Sequence, residues 1–168
     1  MKKQKGFSLI ELLIVVAIIL IIAAIAIPNL IRAKISANES SAAAATRTIA
    51  TANIQYQNSY ASFAANLPSL ESPASGCGTG NPPSTAACLI DFALGNSSTV
   101  PKSGYAFVSA SATSGQTFVG GGTPVTLGRT GNKSFCTIED GVVHYDPAGG
   151  AAATTTAATC QGMSVIGN

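Results

Sequence analysis

Residues 5–30 read "KGFSLIELLIVVAIILIIAAIAIPNL". From Phe7 to Ile27 the 21 residues are apolar except for Ser8 and Glu11. A helix of that length covers about 31 Å, close to the hydrocarbon thickness of a bilayer. Lys2, Lys3 and Lys5 precede the run and hold that end on the cytoplasmic side, which sends the rest of the chain outward. Two details fit a plain anchor poorly. Gly6 stands before the run rather than after it, and Glu11 places a carboxylate inside it. A charge within such a segment is unfavourable and usually marks a partner.

Two ordinary readings compete. A secretory signal peptide would be cut after small residues such as Ala24–Ala26, but its apolar core has only about 7–15 residues and this run is longer. An uncut single-span anchor explains neither Gly6 nor Glu11. The stretch "KGFSLIELLIVVAIIL" closely resembles the N-terminus of type IV prepilins and the related pseudopilins. The resemblance is close over residues 1–60; beyond them only the general architecture matches. It implies that a prepilin peptidase cuts between Gly6 and Phe7 and methylates the new amine on Phe7. It implies that Glu11 of an incoming subunit meets the Phe7 amine of its neighbour as an assembly contact, and that Pro28 bends the helix. It also implies a precursor held in the inner membrane, a homo-oligomeric helical filament on the cell surface, and an assembly platform with a cytoplasmic ATPase as partners.

Composition supports a division after the first third of the chain. After Gly6 the next glycine is Gly76, and only Pro28 and Pro68 precede Pro73. Glycine is disfavoured inside helices because it loses the most backbone freedom on folding, so a long helix followed by turns and strands is expected. Beyond Pro28, Ile35, Ala42, Ile49, Tyr56 and Phe63 recur every seven residues, with Ile31, Ala45, Ala52, Tyr60 and Leu67 beside them. That is one apolar face of an amphipathic helix. Arg32, Lys34, Glu39, Arg47, Asn53 and Gln57 lie mostly off it. Strands are expected at 104–111, 116–120, 124–128, 134–139 and 142–145, with Asp140-Gly141 as a hairpin turn.

The fold expected is α+β: a long N-terminal helix, apolar then amphipathic, packed on a small antiparallel sheet. The segments are a leader at 1–6, a membrane-spanning and filament-core helix at 7–28, and an amphipathic helix at 29–66. A disulfide-closed loop region at 67–103 and a sheet with a tied C-terminal region at 104–168 follow. The four cysteines suit an oxidising compartment and allow three pairings. Sequence proximity favours Cys77 with Cys88 and Cys136 with Cys160. The low-complexity stretch before Cys160 has no core residues of its own and should wander unless that cysteine ties it down.

Little in the chain suggests chemistry. The net charge is +2, and three of the nine basic residues lie in the first five positions, so charge alone would not grip nucleic acid. The one histidine, His144, lies near Asp146, but no nucleophile elbow accompanies them. Glu139, Asp140 and Asp146 are the only local acidic cluster. No C-x-x-C occurs, and neither a metal nor a cofactor is expected. The reading is a structural subunit of a type IV pilus, not an enzyme. A type II secretion pseudopilin and a membrane-anchored or secreted binding module are the alternatives.

Overall fold

The computed structural model describes residues 7–73, 76–79, 81–112, 114–150 and 156–166. Helix α1 takes Leu9–Tyr60, 52 residues with Pro28 inside. It ends where Ala61 turns left-handed at φ 57°. The chain divides into two units, Met1–Lys34 and Ile35–Asn168. In the first, the described large apolar side chains all face outward.

The second unit is built on a five-stranded antiparallel sheet in chain order. Its strands are β1 (Tyr105–Ser111), β2 (Phe118–Pro124), β3 (Ser134–Ile138), β4 (Val143–Asp146) and β5 (Ser164–Val165). The later part of α1 covers one face, where Ala42, Ala45, Ile49 and Tyr56 pack with Tyr105, Phe107 and Phe135. The other face carries Cys136, Ile138 and Cys160 with Val119 and Met163 around them. Cys160 belongs to a short helix, α3 (Ala157–Gln161). Because both faces are covered, all five residues of β3 are buried although their side chains alternate. The fold is therefore α+β, with a long helix on an antiparallel sheet.

Three expectations change. Strands at 116–120 and 124–128 leave Gly121 and Gly122 for the turn between them. They instead lie inside the single strand β2, and residues 125–133 form the loop. The reason is space. A Cβ on Gly120 would stand 2.9 Å from Ile49 Cγ2, and one on Gly122 would stand 2.6 Å from Phe107 Cε1. The glycines let helix and aromatic rings approach a central strand. Asn53, placed off the apolar stripe by the sequence, is fully buried. Its amide donates to the Ile49 carbonyl at 3.0 Å and to Ser109 Oγ at 3.1 Å. At the other extreme, Ile31 is exposed and Ile35 only half-buried.

The region expected to be loop also has local order. Asn66 caps a 3-10 turn at Leu67–Leu70, its Oδ1 accepting the Ser69 N–H at 3.0 Å, with Pro68 in the first turn. That is the usual chemistry of a helical start. Leu67, Leu70, Ile90 and Leu94 join the core from here; Leu94 sits in a short helix, α2 (Phe92–Gly95).

Near the C-terminus, residues 151–155 and 167–168 lie outside the described residues. Thr156 caps α3, β5 pairs with β4, and the Ile166 N–H donates to the Val143 carbonyl at 3.0 Å. Disulfides join Cys77 to Cys88 and Cys136 to Cys160. Cys136 and Cys160 are both fully buried. A Cys136→Ala, Cys160→Ala double variant should lose about 3 kcal/mol, near 10 °C in Tm. Limited proteolysis should then cut first around α3 and β5, whose other ties are few, while β1–β4 stay protected.

Candidate assembly site

Glu11 and Phe7 lie at the start of α1. The Ser8 N–H donates to Glu11 Oε2 at 3.0 Å, and the Leu12 N–H reaches the Ser8 carbonyl at 3.3 Å. "SLIE" at 8–11 thus has the sequence and the reach-back bond of a capping box, in which a Glu or Gln three residues into the helix satisfies a free backbone donor. This role was legible in the sequence as S-x-x-E and was missed there. Glu11 therefore has a local use before any partner arrives. Phe7 is 78% exposed. Gly6 and the three lysines before it lie outside the described residues.

From Phe7 to Ile31 every Leu, Ile, Val and Phe is exposed, with none of the most apolar window covered by the chain itself. By length and composition this helix could cross a membrane. Contiguous apolar surface on this scale marks a membrane or protein contact, since soluble monomers rarely leave so much uncovered. Pro28 lies inside α1 and cannot donate to the carbonyl four residues back. The site thus combines a free apolar rod, a carboxylate within its first turn and a weakened point near its end.

The second unit carries polar contacts of a structural kind. Glu39 accepts the Asn132 N–H at 2.8 Å and lies 3.8 Å from Lys133 Nζ. That ammonium also stands 5.4 Å from the centre of the Tyr145 ring. His144 is buried, with Nδ1 3.3 Å from the Met163 carbonyl oxygen and Nε2 3.7 Å from Asp140 Oδ2. Asp140 and Asp146 accept backbone N–H groups of their own turns. Among the described residues no three metal-ligating side chains converge.

Tyr105 is buried, and its hydroxyl donates to the Lys133 carbonyl at 2.7 Å. Burial, with the nearby Glu39 charge adding to it, pushes its phenol well above its ordinary value of 10.0. A raised folded-state pKa gives stability that is present below the unfolded value and lost as pH rises beyond it. The melting temperature should therefore fall as pH climbs past 10.0, and fall less steeply in Tyr105→Phe. A thermal melt series across the alkaline range checks this; equal slopes would remove Tyr105 as the cause.

Residues 1–27 match the family described as the prokaryotic N-terminal methylation motif. The chain is 48% identical over 73 residues to the type IV wide pilus major component PilA4 of Thermus thermophilus. The match takes in 42% of this chain and 56% of that relative, so the chain spans little more than half of the relative's length. No solved structure matches the chain. The protein therefore carries the prokaryotic N-terminal methylation motif on its apolar helix and is similar in sequence to a type IV pilus component.

Proposed function

We propose that this chain is a structural subunit of a type IV pilus, without catalytic activity of its own. It is made as a precursor anchored in the inner membrane by α1. Prepilin peptidase cuts between Gly6 and Phe7 and methylates the Phe7 amine. An assembly platform driven by a cytoplasmic ATPase then moves the subunit into a surface filament of identical copies, with α1 in the filament core and bent at Pro28. The observation that carries this reading is the apolar surface of α1, exposed from Phe7 to Ile31 and interrupted by the one carboxylate of Glu11. A rod of that kind is unstable in water and needs first lipid, then copies of itself. The match of residues 1–27 to the methylation motif supports the same reading.

Intact mass and N-terminal sequencing of the protein isolated from cells test the first step. The expected product begins at methylated Phe7. A chain beginning at Ile27 would indicate an ordinary signal peptidase and remove the apolar rod on which the proposal rests.

A further inference from the structure

The second unit ends in two unlike surfaces. At one end lies the β2–β3 loop, residues 125–133, held to α1 where Asn38 Nδ2 donates to the Thr130 carbonyl at 2.9 Å. At the other end lies the β3–β4 turn, residues 139–142. There a Cβ on Gly141 would stand 3.6 Å from Ile54 Cδ1, so the turn rests against a later part of α1. The β1–β2 loop lies at this end too, where the Phe63 N–H donates to the Gly115 carbonyl at 2.8 Å. From Asn38 to Ile54 is sixteen residues, about 24 Å of helical rise, which keeps the two surfaces well apart.

Both surfaces are partly aliphatic. The β2–β3 loop exposes Val125 (53%) and Leu127 (56%), and the turn end exposes Ile54 (39%) and Val142 (38%). Their charges differ. At the first end Lys102 pairs with Asp91 and Lys133 with Glu39, while Asp146 accepts the Ala148 and Gly150 N–H groups of its own loop. Arg129, exposed on the β2–β3 loop, has no acidic partner among the described residues. At the second end Glu139 and Asp140 are exposed side by side, and the segments at 51–66 and 112–117 around them contain no charged residue. Asp140 accepts the Val142 N–H and faces His144 Nε2 at 3.7 Å. Glu139 has no cationic partner among the described residues. Arg47, likewise without an ion-pair partner among them, lies on α1 between the two ends.

One end thus offers a free cation beside aliphatic side chains, and the other a free carboxylate beside aliphatic side chains. The two are complementary, and one chain carries both. A partner of any other kind would account for one end only. Contact between unlike ends leaves each outer copy with a surface still open, so it propagates, whereas like ends meeting would close at two copies. We propose that the second units of neighbouring copies meet end to end, with Val125, Leu127 and Arg129 of one copy against Ile54, Val142 and Glu139 of the next. The Arg129 guanidinium meets the Glu139 carboxylate, and the aliphatic side chains exclude water around them. The inference names a contact between copies and rests on the reading that they form a filament.

All four native cysteines are held in disulfides, so introduced thiols are unique targets for a short bismaleimide. Full chains carrying Leu127→Cys, Val142→Cys or both would be assembled into filaments in cells, sheared, treated and run on a denaturing gel. The two positions lie at opposite ends of one copy, so a link between them joins two copies. The expected result is a ladder of dimers and longer multimers from the double variant, and monomers from each single variant. Dimers from either single variant overturn the proposal in favour of like ends meeting. Filament from the double variant without a ladder overturns the contact while the filament reading stands. Adding Arg129→Glu should lower the ladder yield per filament by up to about fivefold, the upper range for an exposed ion pair, and adding Glu139→Arg as well should restore it. An unchanged yield in the first case, or no recovery in the second, overturns the pairing of Arg129 with Glu139. If the unaltered chain forms no filament, the filament reading falls and this inference with it.

Discussion

Sheared filament should be nearly absent from cells whose only copy of this chain carries Glu11→Gln. The substitution separates two roles of one side chain. In the isolated chain Glu11 Oε2 accepts the Ser8 N–H, and glutamine fills that capping position as well as glutamate does. Helix formation, membrane insertion and cleavage after Gly6 should therefore survive, and insertion should improve because an intramembrane charge is gone. What glutamine cannot supply, on the proposed reading, is a negative charge opposite the Phe7 amine of a neighbouring subunit. Removing one partner of a buried ion pair costs about 3–5 kcal/mol, since the other charge is left unpaired in an apolar environment. In the proposed filament that cost would recur at every joint. Membrane-fraction protein and sheared filament, measured separately, check the prediction. Normal filament yield would show that Glu11 acts only as a cap, and a parallel loss of membrane protein would point to insertion instead. Glu11→Val removes both roles and should show the same filament defect with a less firmly started helix.

The second large effect is expected at Gly121. A Cβ there would stand 2.0 Å from the Phe135 carbonyl oxygen and 2.8 Å from Cys136 Cα. Both atoms belong to the backbone of β3, so no rotamer change relieves the contact. Gly121→Ala can be accommodated only by parting β2 from β3, where Gly121 stands opposite Cys136. Overpacking typically costs about 1–3 kcal/mol and occasionally more, and a clash with backbone belongs at the upper end. A Tm drop near 10 °C is expected for the full chain in detergent. Gly78→Ala, with nothing within 4 Å of its added Cβ, should leave Tm unchanged. Equal melting of the two variants would mean that the glycine run does not lie in a packed strand.

The contrast between these positions marks what could be read in advance. The proposed assembly role of Glu11 rests on local pattern: an apolar run, one carboxylate and a glycine before them. The capping box was equally visible as S-x-x-E. Gly120–Gly122 are different. Three glycines in a row are a turn signal when only local backbone freedom is considered, and they become a strand interior when Ile49 and Phe107 come to rest against them. Asn53 makes the same point in reverse: its polarity suggested solvent, but Ser109 and the Ile49 carbonyl give its amide partners in the core.

The sequence by itself determined the long helix, its division into an apolar and an amphipathic stretch, the α+β class and most of the strands. These follow from periodicity, glycine placement and the length of an uncharged run, all properties of neighbours along the chain. Only the tertiary structure decided that β2 runs through its glycines, that β5 joins the sheet, and that α3 covers its second face. Those outcomes depend on which side chains meet across distant parts of the chain. Whether a glycine is a hinge or a space for a ring, and whether a polar amide faces water or donates its N–H groups inside, is set by the neighbour that arrives.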